Sequence, residues 1–269
     1  MVERRGCHST ILRVSEEDIC MVMTRSAIAG CVLAAALAAP ALAAVDVAAL
    51  WDFGSPAESE RRFREALSQA SGDDALVLKT QIARTHGLRG DFDKARVVLR
   101  EVEPALGTAG AEARTRYWLE LGRTHASGRH TPEQVGPEAR RLAREAYDKA
   151  LGESRPAGLD ALTIDALHMF AFVDTAPADQ LAWSLKALAV VEGSPQPDAK
   201  RWEASIRNNI GESLFDLGRH EEALVEFRKA LALRERGTNV GATRHARTQV
   251  ARTLRALGRP AGAVTVESR

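Results

Sequence analysis

IARTHGLRG, residues 82–90, sets an arginine, a threonine and a histidine side by side, which suits either an active site or the flank of a packed helix. The rest of the chain decides between the two. Thirty-nine residues on comes LGRTHASGR, Leu121 to Arg129, with His125 standing where His86 stood. IGESLFDLG from Ile210 and VARTLRALG from Val250 keep the same frame. In each copy a large aliphatic residue is followed by a small one (Ala83, Gly122, Gly211, Ala251) and, three residues later, by His86, His125, Leu214 or Leu254. A slot that leucine also fills is a packing slot, so neither histidine is expected to be catalytic or to bind a metal. The second half of the unit recurs as well. Gly90, Gly218 and Gly258 each precede an alanine by five residues (Ala95, Ala223, Ala263), and Leu99 and Phe227 follow the first two alanines by four. Glycine there permits a tight turn between two helices, and alanine lets them approach where they cross.

On these residues the chain resembles the tetratricopeptide repeat proteins. The matching segments are Trp118 through Leu121-Gly122 to His125, then Ala143, Tyr147 and Ala150, and finally Gly211 through Gly218 and Ala223 to Phe227 and Ala230. The resemblance covers roughly residues 57–264. It implies an all-α chain, an α-solenoid of antiparallel helix pairs stacked as a right-handed superhelix, whose concave groove holds a peptide or a partner segment. Two departures stand out. The spacing exceeds the family's usual ~34 residues, and residues 159–192 fit the pattern poorly, which leaves the number of units at four or five.

Composition agrees with that class. Of 269 residues 45% are hydrophobic, 27% charged and only 5% aromatic, a core-forming mixture rich in helix-favouring residues and poor in strand formers. Basic residues number 37 against 36 acidic, a net charge of +1, so the arginines are not the uncompensated surface that nucleic acid requires. No phosphate-cradling glycine loop, GxSxG, HExxH or DxDxDG series occurs, and no cofactor or metal is expected.

From Met23 the sequence runs MTRSAIAGCVLAAALAAPALAAVD, a basic start at Arg25, an apolar stretch and a small-x-small site at Ala41-Leu42-Ala43. This reads as a secretory signal peptide cleaved after Ala43, with Met23 the expected start. The expected domains are a leader and signal over 1–43, a short linker over 44–56 and the repeat array over 57–269. The alanine-rich run falls short of the ~20 strongly apolar residues of a spanning helix, so no membrane span is expected after cleavage. Cys7, Cys20 and Cys31 all precede Ala44, which leaves the mature chain without thiols and suits an oxidising, periplasmic or secreted location.

Caps and periodicity place the helices. A leading helix follows the predicted capping box Ser55-Pro56-Ala57-Glu58, and Thr131-Pro132-Glu133-Gln134 is expected to open the second helix of the Trp118 unit. Pairs are predicted over 74–88 with 91–104, 111–127 with 132–152, 159–173 with 177–192, 199–217 with 220–235, and 241–257 with 260–267.

In the family's frame, the second, fifth, sixth and ninth positions of each first helix turn to the concave side. Here these are Val77, Thr80, Gln81 and Arg84; Arg116, Leu119, Glu120 and Arg123; Ser205, Asn208, Asn209 and Glu212; and His245, Thr248, Gln249 and Arg252. The implied peptide-binding groove is polar. Arginine recurs at the ninth position, and a guanidinium captures carboxylates bidentately. Asn208 and Asn209 each offer a peptide backbone both a donor and an acceptor. The expected function is a non-catalytic protein- or peptide-binding scaffold of the cell envelope, holding a partner segment, acidic or C-terminal in character. The alternatives are a self-assembling structural or regulatory accessory protein and an enzyme with its site spread over several repeats. At the C-terminal edge two readings stand open: the short final helix leaves Val250 and Leu254 incompletely covered and a homo-oligomer forms there, or the short tail suffices as a cap.

Overall fold

The computed structural model describes residues 45–267, and every regular element among them is a helix. The expected signal peptide and the Met23 start lie outside the described residues. A short α1 (Val47–Leu50) and the leading helix α2 (Pro56–Leu67) precede five antiparallel pairs. These are α3 (Gly72–Leu88) with α4 (Phe92–Val102), α5 (Ala111–Arg123) with α6 (Pro137–Ser154), and α7 (Asp160–Met169) with α8 (Pro177–Gly193). After a single turn, α9 (Pro197–Lys200), come α10 (Glu203–Asp216) with α11 (His220–Arg234) and α12 (Val240–Ala256) with α13 (Pro260–Glu267). The described array therefore has five pairs.

The recurring glycines and alanines do what their spacing suggested. Gly90 and Gly218 have φ of 82° and 75°, the left-handed region in which a side chain is strained. Each closes a Schellman turn. Behind Gly90, the Asp91 N–H donates to the His86 carbonyl at 3.0 Å; behind Gly218, the Arg219 N–H donates to the Leu214 carbonyl at 2.9 Å. Ala95, Ala223 and Ala263 are all buried at the helix crossings. At the small position of the first helix the fit is tighter still. A Cβ on Gly122 would fall 2.4 Å from the Tyr147 ring, and one on Gly211 would fall 2.6 Å from the Phe227 ring. Tyr147 also donates its hydroxyl hydrogen to the Ala126 carbonyl at 2.5 Å, so the ring that fills the gap left by glycine is satisfied at its polar end.

Each second helix packs on its own first helix and on the next one: α6 touches α5 and α7, α8 touches α7 and α10, and α11 touches α10 and α12. One apolar core accordingly runs without a break from Leu119 to Ala263. No hairpin closes its own core, as in other stacked-repeat architectures.

Several local expectations need correction. Ser55 precedes α2, but its side chain makes no cap; Glu58 is bound instead to Arg61 at 2.8 Å and Arg62 at 3.0 Å. The Thr131–Gln134 capping box does form, yet it encloses only a 3-10 turn (Pro132–Gln134), and α6 starts at Pro137. Gly136, at ψ 177°, is extended, because the residue before a proline is kept out of the helical region. Residues 45–55, expected as linker, contain α1, with Val47 buried beside Val77 and Ala113. The C-terminal edge is covered: α13 packs on α12, leaving Val250 and Leu254 only 1% and 4% exposed. The basis for self-association through those two residues is therefore absent.

Candidate functional site

The first helices α3, α5, α7, α10 and α12 present their sixth and ninth positions to one another along a shared inner face. Side chains from this face join every neighbouring pair. Arg84 of α3 reaches Glu120 of α5 at 3.3 Å and Asp165 of α7 at 3.4 Å. Arg123 of α5 binds Glu120 at 2.5 Å and is also paired with Asp165. Farther along, His168 Nδ1 on α7 lies 3.0 Å from the Asn209 amide nitrogen on α10, and Arg252 of α12 holds Glu212 of α10 at 2.6 Å.

The four charges around Asp165 cancel, and they are set deep, the Glu120 and Asp165 side chains being 3% and 6% exposed. Burial works to raise the Asp165 pKa, but Arg123 and Arg84 outweigh it and hold the carboxyl at about 2, below its ordinary 3.8. Burial equally opposes the charge on Arg123, and Asp165 and Glu120 overcome it, raising its pKa further. His168 is pushed the other way. Its burial lowers the pKa against the pull of Asp165, so the imidazole is neutral at neutral pH and its ring packs between Phe172 and Trp202, with centroids at 5.6 and 5.9 Å.

Over this lattice opens a cavity of about 330 Å³. Arg84, Glu120, Arg123 and Asp165, with the exposed Arg129, are among its polar lining, and Met169, Phe172 and Trp202 are among its apolar walls. A second space of about 390 Å³ adjoins it, sharing Arg84, Asp165 and Trp202 and bounded on the far side by Trp51 and Phe53. Together they form a groove with the Arg84–Glu120–Arg123–Asp165 lattice in its floor and aromatic residues at its sides.

Residues 202–267, which hold α10 to α13, match the tetratricopeptide repeat family. This part of the chain is similar to a tetratricopeptide repeat. The fold as a whole is similar to that of BtubC (BKLC) from P. vanneervenii, with a TM-score of 0.57 at 17% identity over 84% of this chain and 89% of that one. It is also similar to the Cut9–Hcn1 hetero-tetramer of APC/C, with a TM-score of 0.55 at 18% identity over 79% of this chain and 36% of that one. At such identities the likeness is one of fold. No curated protein matches the chain.

The tetratricopeptide frame locates the predicted groove residues unequally. Arg84, Glu120, Arg123, Asn209, Glu212 and Arg252 all take part in the cross-helix links. Thr80 and Gln81 are buried, at 0% and 1% exposure, beneath Trp51, whose indole Nε1 donates to Gln81 Oε1 at 3.0 Å. Arg116 binds Glu112 of its own helix at 2.8 Å. Asn208 lines a small separate hollow with His245. Thr248 is exposed and Gln249 is buried, 3.4 Å from His245. The three ninth-position arginines, expected to receive a partner's carboxylates, each already hold one from this chain.

Two members of the site escaped the sequence reading. Asp165 and His168 occupy the sixth and ninth positions of the unit between residues 159 and 192. Their three-residue separation repeats that of Glu120–Arg123 and Asn209–Glu212, and this polar rhythm was the available signal. It was masked because Leu167 stands in the small slot and Phe170 in the leucine slot, both fully buried. Among the described residues no group of three or more His, Cys, Asp and Glu is arranged to hold a metal ion, and no helix is long and apolar enough to cross a membrane.

Proposed function

We propose that the protein is a non-catalytic scaffold of the cell envelope that holds an extended segment of a protein partner in the groove along its first helices. Tetratricopeptide repeats generally mediate protein–protein interaction. The observation that carries this reading here is the cavity of about 330 Å³ over the Arg84–Glu120–Arg123–Asp165 lattice, walled by Phe172, Met169 and Trp202. A floor whose carboxylates are already held by its arginines is set before a ligand arrives, and preorganisation lowers the cost of binding. An acidic partner would have to compete with Glu120, Asp165 and Glu212 for the arginines. The apolar walls therefore carry the binding, and the charges fix the spacing of the helices beneath it.

Trp202→Ala removes one wall and leaves the lattice intact. Interface tryptophans are frequent hot spots, worth about 2 kcal/mol or more. The variant is expected to lose at least about tenfold of the affinity for a partner captured from an envelope extract, with an unchanged circular dichroism spectrum. Equal capture by both proteins overturns the groove assignment.

Location follows from the secretory signal read over residues 23–43. Sequencing the amino terminus of the exported protein is expected to give Ala44 first, and a product starting within the apolar run or retaining Met23 contradicts cleavage after Ala43.

A further inference from the structure

Residues 45–53 lie against the inner face that the proposed partner would use. The Val45 N–H donates to Asp74 Oδ1 at 3.3 Å, and Val47 is buried beside Val77 and Ala113. Trp51 sends its indole N–H to Gln81 Oε1 at 3.0 Å. Gln81 is fixed for that role, because its amide nitrogen donates to Thr80 Oγ1 at 3.2 Å, and Thr80 in turn donates to the Val77 carbonyl at 2.6 Å. Phe53 then stacks on Trp51, ring centroids 4.6 Å apart and planes within 3°. The Arg84 guanidinium carbon sits 5.8 Å from the first ring and 5.9 Å from the second, within range of a cation–π attraction.

This arrangement is a recognition event in miniature. A buried acceptor is matched by an indole donor, and a cation is matched by a pair of aromatic faces. The surface that makes it is largely the inner face: Thr80 and Gln81 are groove positions and Arg84 is part of the charge lattice, while Phe63 of α2 supports the other side of the indole, centroids 5.0 Å apart. The segment that makes the contacts has little regular structure of its own and is held by those contacts. Its only helix, α1, has four residues, far fewer than a helix needs to persist alone, and Phe53 remains 63% exposed despite the stack. The segment ends at a tie to α2, where the Asp52 N–H donates to Ser59 Oγ at 2.7 Å and the Ser59 hydroxyl donates back to the Asp52 carbonyl at 2.9 Å. Beside the segment the space of about 390 Å³ between Trp51 and Trp202 gives a second strand room to approach.

We infer that residues 45–53 are an internal ligand: they occupy the first-repeat end of the groove as a partner segment with two aromatic residues at i and i+2 does, and such a partner binds by displacing them. The leading residue of the pair must carry an N–H or O–H, since leaving Gln81 Oε1 without a donor strands a buried acceptor. The inference rests on the groove being the binding face and adds the class of segment that it takes.

The test uses the exported chain and a fluorescently labelled peptide of residues 45–54, VDVAALWDFG, followed by anisotropy. The double variant Trp51→Ala/Phe53→Ala empties the acceptor and the stack, and is expected to bind the peptide at least tenfold more tightly than the parent chain does. A peptide with both aromatics replaced by alanine is expected to bind neither. Phe53→Ala alone, at an exposed position, is expected to give a smaller gain in the same direction and serves if the double variant does not fold. The inference is overturned if a folded variant does not take up the peptide, if variant and parent bind it equally, or if the alanine peptide binds as well. Should the peptide fail while Trp202→Ala still abolishes partner capture, only the internal-ligand assignment falls. Should both experiments fail, the groove itself is lost.

Discussion

Gly211→Val is expected to lower the melting temperature by roughly 6–12 °C, the equivalent of about 3 kcal/mol for a chain of this size. Gly122→Val is expected to do the same. The reason is the space, not the backbone conformation. The first added carbon would stand 2.6 Å from the Phe227 ring at Gly211 and 2.4 Å from the Tyr147 ring at Gly122. Neither ring can retreat, because both side chains are fully buried in the continuous core, and interiors of that density transmit strain instead of absorbing it. Gly152 is the control. It lies within α6, is exposed, and a Cβ there would meet nothing within 4 Å. Gly152→Ala is therefore expected to gain up to about 1 kcal/mol through helix propensity alone. Thermal melts of the three variants check the claim, and a Gly211→Val protein that melts with the parent refutes the close crossing.

Asp165→Asn keeps the shape of the side chain and removes its charge, and is expected to cost about 3–5 kcal/mol at pH 7. Arg123 and Arg84 would then share the single carboxylate of Glu120, with Arg123 only 12% exposed and unable to turn to water. The pH dependence has a definite sign. The folded-state pKa of Asp165, about 2, lies below its ordinary 3.8. The stability it contributes is thus complete above the ordinary value and disappears as the pH falls from about 4 through about 2. The gap between parent and variant in chemical denaturation should narrow over that window and stay constant above pH 5. A variant as stable as the parent at pH 7 would mean that the lattice is ornamental to the fold.

How much of this was legible in the sequence depends on the range of the interaction. The glycine and alanine frame was readable because its contacts recur at a fixed spacing, so Gly90 and Gly218 could be assigned to turns and Ala95, Ala223 and Ala263 to crossings, whereas Gly122 and Gly211 were visible only as recurring small residues. His86 is packed within α3 as expected, whereas His125, expected in the same role, stands half-buried in the turn that follows α5. The ion pairs were not readable. Arg84 meets Asp165 across eighty-one residues and Arg123 meets it across forty-two, and nothing local marks a carboxylate as the partner of a distant guanidinium. The same holds for residues 45–53. Four helical residues show no periodicity, and the Trp51–Gln81 bond spans thirty residues, so the segment read as a linker. The Thr131 capping box failed differently. The local cap was right, and Gly136-Pro137 immediately stopped what it started.

The central claim is that one buried lattice sets α3, α5 and α7 at a common spacing and so holds the groove open before any partner arrives. Native-state hydrogen exchange of Asp165→Asn against the parent tests it most directly, because exchange reports the cooperative unit that opens. The lattice predicts that protection falls together over residues 72–88, 111–123 and 160–169, while residues 240–256 keep theirs. Loss confined to residues 160–169, with the other two first helices unchanged, would contradict it.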